Sequence, residues 1–296
     1  MFDYKIFNEY LEAGINAKGA ELVHLQDSEK GYEYMWSGDA AYWNRVSPVL
    51  FPFVGKLNGQ RYWYKEQVYE NIPQHAFARD QVFQVLEQSQ DEIWFELQNN
   101  ESTEKIYPFA FSLMIGYRLE KRKLHVMWEV HNHNDMKMYF SIGAHPGFLC
   151  PQPGSRDSGM EGYSIDLGIK EETICSGILT GEGVLGSTTK ELALDRGSLP
   201  LTDQLFAEDA LILDASEIHN VAIKNPSGEA YLRMEFDAPL LGIWSPPGKH
   251  APFVCIEPWY GRCDREGFNG TLQEREYGNM LGCGEVFERE YTIEIL

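Results

Sequence analysis

The sequence predicts an all-β fold, a sandwich or a barrel, with few short helices. Strand-like segments bounded by turn residues recur along nearly the whole chain. Two adjacent segments alternate apolar and polar residues with a strict period of two. Helical periodicity is scarce, and many strands with few helices leave sheet-on-sheet architectures as the ones that bury a core.

In chain order, strands are expected at 4–8, 21–25, 32–36, 61–64, 82–86 and 92–97. The clearest are 112–119 and 123–130. In the first, Leu113, Ile115, Tyr117 and Leu119 share one face; in the second, Leu124, Val126, Trp128 and Val130 do, with His125, Met127 and Glu129 opposite. Glu120-Lys121-Arg122 between them makes a polar hairpin connection. Later strands are expected at 210–213, 220–224, 230–236, 240–244, 253–257 and 291–296. The cluster from Lys224 to Glu229 is a turn between two of them. Residues 38–44, 101–106 and 203–206 each allow a turn or two of helix. No repeat or low-complexity linker divides the 296 residues, so 1–296 is expected to be a single domain, with the Pro/Gly-rich stretch 151–159 as an excursion from it.

Composition narrows the function classes. Hydrophobic residues make up 43% and aromatics 13%, enough for a real core. A formal charge of −20 argues against nucleic-acid binding, which needs a basic surface, and fits an uncharged substrate better than an anionic one. No basic amphipathic helix or membrane-length apolar run is present, so no membrane partner is expected. The first residues lack the pattern of a secretory signal. Five cysteines without close pairing read as free thiols in a reducing cytoplasm, with Cys255 a small core residue. Oligomeric state is left open.

Two stretches share one grammar. In Ser141-Ile142-Gly143-Ala144-His145-Pro146-Gly147-Phe148, an apolar run ends in a histidine that the following proline holds out of helix. In Phe253-Val254-Cys255-Ile256-Glu257-Pro258-Trp259-Tyr260-Gly261, another run ends in a carboxylate before a proline, followed by two aromatics. An acid/base pair presented from two strand ends beside ring faces suits sugar chemistry. The plainer reading is two turns that each carry a polar residue.

The segment 72–80 crowds Gln74, His75 and Arg79 beside a proline; its plainer reading is a loop in which Arg79 and Asp80 pair locally. The proline-broken run 47–56 reads as a buried edge segment ending in Lys56. His131 and His133 stand two apart, as metal ligands on one strand face would, but no third ligand stands at a recognisable spacing, so no metal is expected. No phosphate-cradling glycine loop and no nucleophile elbow are present.

Taken together, SPVLFPFVGKL at 47–57, PQHAFARD at 73–80, SIGAHPGF at 141–148, LFAEDALIL at 205–213, LGIWSPPG at 241–248 and CIEPWYGRCD at 255–264 resemble the aldose 1-epimerase (galactose mutarotase-like) family, particularly its compact bacterial branch. The resemblance spans most of the chain. It implies a β-supersandwich and interconversion of the α and β anomers of a sugar. It also implies His145 as general acid, Glu257 as general base, His75 as a substrate-binding or auxiliary histidine and Asp209 as a ligand for sugar hydroxyls. Lys56 stands where the larger galactose mutarotases have a sugar-binding arginine. A lysine cannot make the forked contact of an arginine, which puts galactose preference in question.

Anomer exchange removes the C1 hydroxyl proton while the ring oxygen gains one. Glu257 is therefore expected to be ionised and His145 protonated, each charge supporting the other. Arg79 would add donors, and Trp259, Tyr260 and Trp244 would offer ring faces to the sugar. No cofactor is required, because nothing is oxidised and no group is transferred. Two alternatives stay open: a hexose-6-phosphate 1-epimerase, for which Lys56, Arg61, Arg79 and Arg262 are the available cations, and a non-catalytic carbohydrate-binding β-sandwich.

Overall fold

A computed structural model describes residues 2–296. Two large antiparallel sheets dominate. The nine-stranded sheet runs, in spatial order, Ser198–Pro200, Ser164–Asp166, Asn220–Lys224, Ala230–Phe236, Val286–Ile295, Lys123–Asn132, Phe111–Glu120, Glu92–Gln98 and Gln84–Gln88. The seven-stranded sheet runs Ile142–Gly143, Phe253–Tyr260, Leu240–Trp244, Leu211–Asp214, Thr173–Leu179 and Leu185–Ala193, and Gly147–Leu149 also pairs with Phe253–Tyr260. Three strands near the N-terminus and two isolated pairs make smaller sheets.

The hairpin Phe111–Glu120/Lys123–Asn132 shows why the large sheet forms. Glu120 pairs with Lys123, leaving Lys121 and Arg122 as the turn, and Lys121 takes a φ of 53° there. Period-two alternation sends Leu113, Ile115, Val126, Trp128 and Val130 to the inner face, where they are buried. Arg122 leaves the turn to pair with the buried carboxylate of Asp27, tying the hairpin to the N-terminal sheet. The inner faces of both large sheets meet in one core: Leu113, Trp128 and Met234 share a cluster with Leu213, Ile243 and Ile256.

Several expectations are corrected. Residues 32–36 make only isolated bridges at Glu33 and Met35. Residues 38–44 form turns in place of a helix, with Asp39 accepting from the backbone N–H groups of Ala41, Tyr42 and Trp43. A helix does form at Glu101–Glu104, where Asn100 and Thr103 make a reciprocal capping box, and Asp203–Phe206 is a 3-10 turn.

The strand expected to end at Glu257 continues to Tyr260, through Pro258. A proline inside a strand lacks the ladder's N–H donor. It is tolerated here because the neighbouring strand is interrupted: Ile142–Gly143 and Gly147–Leu149 pair on either side, and residues 144–146 bulge between them. The Pro258 carbonyl is still used, accepting from Ala144 N–H at 3.1 Å.

Candidate active site

That interruption positions the first two side chains. The registers before and after the gap agree (Gly143 opposite Trp259, Gly147 opposite Cys255), so His145 falls opposite Glu257. His145 Nε2 lies 3.3 Å from Glu257 Oε2. Glu257 is 1% exposed, while the His145 side chain keeps 12% of its surface, facing a cavity of about 240 Å³. Pleating puts Cys255, Glu257 and Trp259 on one face of their strand. Tyr260 points the other way, into the core against Trp128 and Phe287, so the expected Trp-Tyr platform is Trp259 alone.

Neither Glu257 oxygen has a hydrogen-bond partner, nor does His145 Nδ1. Burial pushes the Glu257 carboxyl well above its ordinary range, and the nearby Asp209 charge adds to this. The Trp259 indole N–H, itself unpartnered, works the other way. Burial lowers His145 to about 3, with Arg79 and Arg45 adding repulsion. The residue types alone favour an ion pair here; desolvation instead favours the neutral pair, because two charges lose more hydration in this niche than their attraction returns. One proton remains between the two groups.

Aromatic rings hold His145 in place. Trp43 stacks on it with centroids 4.8 Å apart, and Trp244 meets it edge-on at 5.5 Å. Trp244 Nε1 donates to Asp209 Oδ1 at 2.8 Å. Asp209 sits at the cavity with a φ of 76°, in the left-handed region that non-glycine residues seldom occupy.

His75 shares that unusual backbone, at φ 63°, and its ring stands 5.9 Å from that of His145. It is fixed by a two-way link to Gly55. Gly55 N–H donates to His75 Nδ1 at 3.0 Å, and His75 N–H donates to the Gly55 carbonyl at 2.9 Å. Because Nδ1 accepts, the ring proton of a neutral His75 belongs on Nε2. Burial, with Arg79 adding repulsion, keeps the ring neutral, so His75 offers a fixed N–H donor. Strained backbone concentrates at functional sites, and His75 and Asp209 fit that pattern.

Arg79 lines the same cavity. It does not pair closely with Asp80: their contact is 3.9 Å, and Asp80 instead takes Arg45 at 2.9 Å. Arg79 Nη2 donates to the Gln74 carbonyl, and its buried Nε has no partner. Lys56 stands at the rim, where its side chain lies so close to Gly183 that a Cβ there would meet Nζ at 3.1 Å. Arg262 turns away from the cavity and is bound to Glu276 and the Cys263 carbonyl. Arg61 is exposed and does not line the cavity either.

Trp43, Leu179 and Gly183 also line the cavity and were not anticipated. Trp43 comes from the stretch read as helix. Leu179 and Gly183 come from the hairpin Thr173–Leu179/Leu185–Ala193, whose strands are largely exposed or half-buried and carry no sustained apolar alternation. The one signal available for Trp43 was a second tryptophan, Trp36, seven residues earlier in a polar stretch. His131 and His133 stand elsewhere, bound to Glu129 and Ser112. Among the described residues, the group whose ligand atoms come within metal-binding reach is His145, Cys255 and Glu257.

A family model described as Aldose 1-epimerase matches residues 3–265. A galactose mutarotase related enzyme from Lactobacillus acidophilus has a TM-score of 0.92 at 32% identity, covering 100% of this chain and 97% of that one. A galactose mutarotase-like protein from Lactobacillus casei also has a TM-score of 0.92, at 30% identity and 99% coverage of both chains. Protein LacX (plasmid form) of Lactococcus lactis subsp. lactis is 30% identical over 296 residues, 98% of each chain. The two-sheet architecture is thus the galactose mutarotase-like fold that the motifs implied. No helix among the described residues is long and apolar enough to cross a membrane.

Proposed function

This chain belongs to the aldose 1-epimerase family, and from that premise we propose that it interconverts the α and β anomers of an unphosphorylated hexose. Glu257 and His145 would move the protons. The observation that carries this reading is the placement of His145 Nε2 3.3 Å from Glu257 Oε2 at the wall of a sugar-sized, aromatic-lined cavity.

The chemistry needs one proton taken from the C1 hydroxyl and one given to the ring oxygen. The pair already holds one proton between its members. With that proton on His145, Glu257 is the base for the C1 hydroxyl and His145 the acid for the ring oxygen. The ring opens to the aldehyde, the C1–C2 bond rotates, and the two groups reverse roles as the ring closes on the other face. Each transfer contributes about 10²–10⁴-fold. Low local polarity favours the neutral pair, and the sugar's hydroxyls, by solvating the charges, bring the charged form closer in energy, which couples substrate binding to activation.

Trp43, Trp244 and Trp259 supply apolar faces for the sugar's C–H surface. His75 Nε2–H and Arg79 donate to its hydroxyls, and Asp209 accepts. Nothing in this scheme calls for a cofactor. Of the four cations considered for a phosphate, only Arg79 lines the cavity and Lys56 its rim, which supports the neutral sugar. Polarimetry on freshly dissolved glucose and galactose, and on their 6-phosphates, tests the reading. Faster decay of optical rotation with the free hexoses supports it. Sugar binding without faster decay would make the protein a carbohydrate-binding module, and a preference for the phosphate esters would replace the substrate.

A further inference from the structure

We propose that His145, Cys255 and Glu257 form a binding site for a thiophilic divalent cation of the zinc class, and that a cation held there shuts the cavity to sugar. The second half rests on the catalytic reading above; the first does not.

Three observations lead to the site. Strand alternation puts Cys255 and Glu257 on one face, and the interrupted ladder puts His145 opposite them, so that one ligand atom from each lies within 4.8 Å of the others. In a tetrahedral zinc site, bonds of about 2.0–2.3 Å put ligand atoms roughly 3–4 Å apart, within reach of small side-chain rotations. Secondly, both Glu257 oxygens are buried without hydrogen-bond partners, Cys255 is a free, fully buried thiol, and the close contact of His145 Nε2 is with Glu257 itself. Thirdly, the donor set is one sulfur, one imidazole nitrogen and one carboxylate oxygen. That set selects zinc-like ions over magnesium or calcium, which require oxygen ligands. A thiolate and a carboxylate together balance the two positive charges. Three protein ligands leave a fourth position, and two of the three, His145 and Glu257, line the cavity.

The same His145 and Glu257 are assigned to proton transfer, so a bound cation and a reacting sugar exclude one another. Cys255 has no part in that chemistry, which allows the two roles to be separated by substitution.

Cobalt(II) serves as the probe, in a Cys175→Ser/Cys283→Ser background that removes both exposed thiols. The expected result is a thiolate-to-cobalt charge-transfer band at one equivalent, displaced by zinc and absent in Cys255→Ser. His145→Asn should alter or abolish the band, and this decides the matter if the serine variant fails to fold by circular dichroism. Zinc should inhibit mutarotation by the parent. In Cys255→Ser the metal-free rate should persist, with the inhibitory zinc concentration raised at least about tenfold. No band in the parent, or a band unchanged in both variants, would overturn the site. If the protein does not mutarotate sugars, the cobalt band still reads the site, and only the inhibition and the catalytic reading fall.

Discussion

The indole of Trp259 lies flat across Gly242, so close that a Cβ at 242 would stand 2.5 Å from its Cζ2. Gly143, on the other neighbouring strand, leaves matching space: a Cβ there would stand 2.7 Å from Trp259 Cδ1. Two glycines thus cradle the ring whose N–H reaches toward Glu257. Gly242→Ala should cost about 1–3 kcal/mol by overpacking. It should also lower turnover by tilting Trp259. Urea unfolding and polarimetry on the same sample check both parts, and a stable variant with normal turnover would show that the cradle is unimportant.

His75 is a fixed neutral donor, so its loss should weaken binding more than chemistry. Asparagine tolerates the left-handed backbone at 75 and removes the ring. One neutral hydrogen bond is worth about 0.5–1.5 kcal/mol, so KM for His75→Asn should rise about tenfold or less while kcat changes little. Steady-state polarimetry separates the two constants. A defect confined to kcat would mean that the roles of His75 and His145 are reversed.

The buried pair sets the pH dependence of stability. Glu257 has its folded pKa raised, so the fold holds this proton more tightly than the unfolded chain does. The resulting stability is fully present below the unfolded value of about 4.3 and is lost as pH rises toward the raised folded value. Glutamine has no proton to lose. Glu257→Gln should therefore melt higher than wild type at neutral and alkaline pH, with the difference shrinking in acid. His145, lowered to about 3, has the opposite sign: its contribution is present above the unfolded pKa and is lost as pH falls toward 3. Its imidazole resonances should stay those of a neutral ring from about pH 8 to about pH 5, where an ordinary histidine titrates. Thermal melts and nitrogen NMR make these checks.

Arg262 is spent on Glu276, away from the cavity, whereas Arg79 lines it. Arg79→Ala should raise KM for the free hexose. Arg262→Ala should leave the preference between a hexose and its 6-phosphate unchanged and lower stability instead, because it removes a buried partner of the Cys263 carbonyl. The two variants compared on both sugars give the result.

These outcomes also mark what could be read in advance. The hairpin of Leu113 to Val130 was legible because its alternation is strong, and the strands 220–224, 230–236 and 240–244 match the observed ones. The hairpin Thr173–Leu179/Leu185–Ala193 was not, since much of it is exposed or half-buried and its buried leucines, Leu185 and Leu192, do not fall on one period-two face. Proline misled at 258: alone it marks a strand end, and only the gap in the partner strand lets the strand continue. His145, Glu257 and His75, which line one cavity, stand close to prolines in the sequence. Trp43 was not legible, because its role depends on a loop folding back onto His145. The ionisation of the pair was likewise out of reach, since it is set by burial.

The measurement that bears most directly on the central claim is polarimetry of Glu257→Gln. Glutamine keeps the shape at 257 and removes the proton acceptor. With the variant folded, the account predicts a fall in hexose mutarotation of at least about 10²-fold while sugar binding is retained. Turnover close to that of wild type would contradict it, and Glu257 would not be the base.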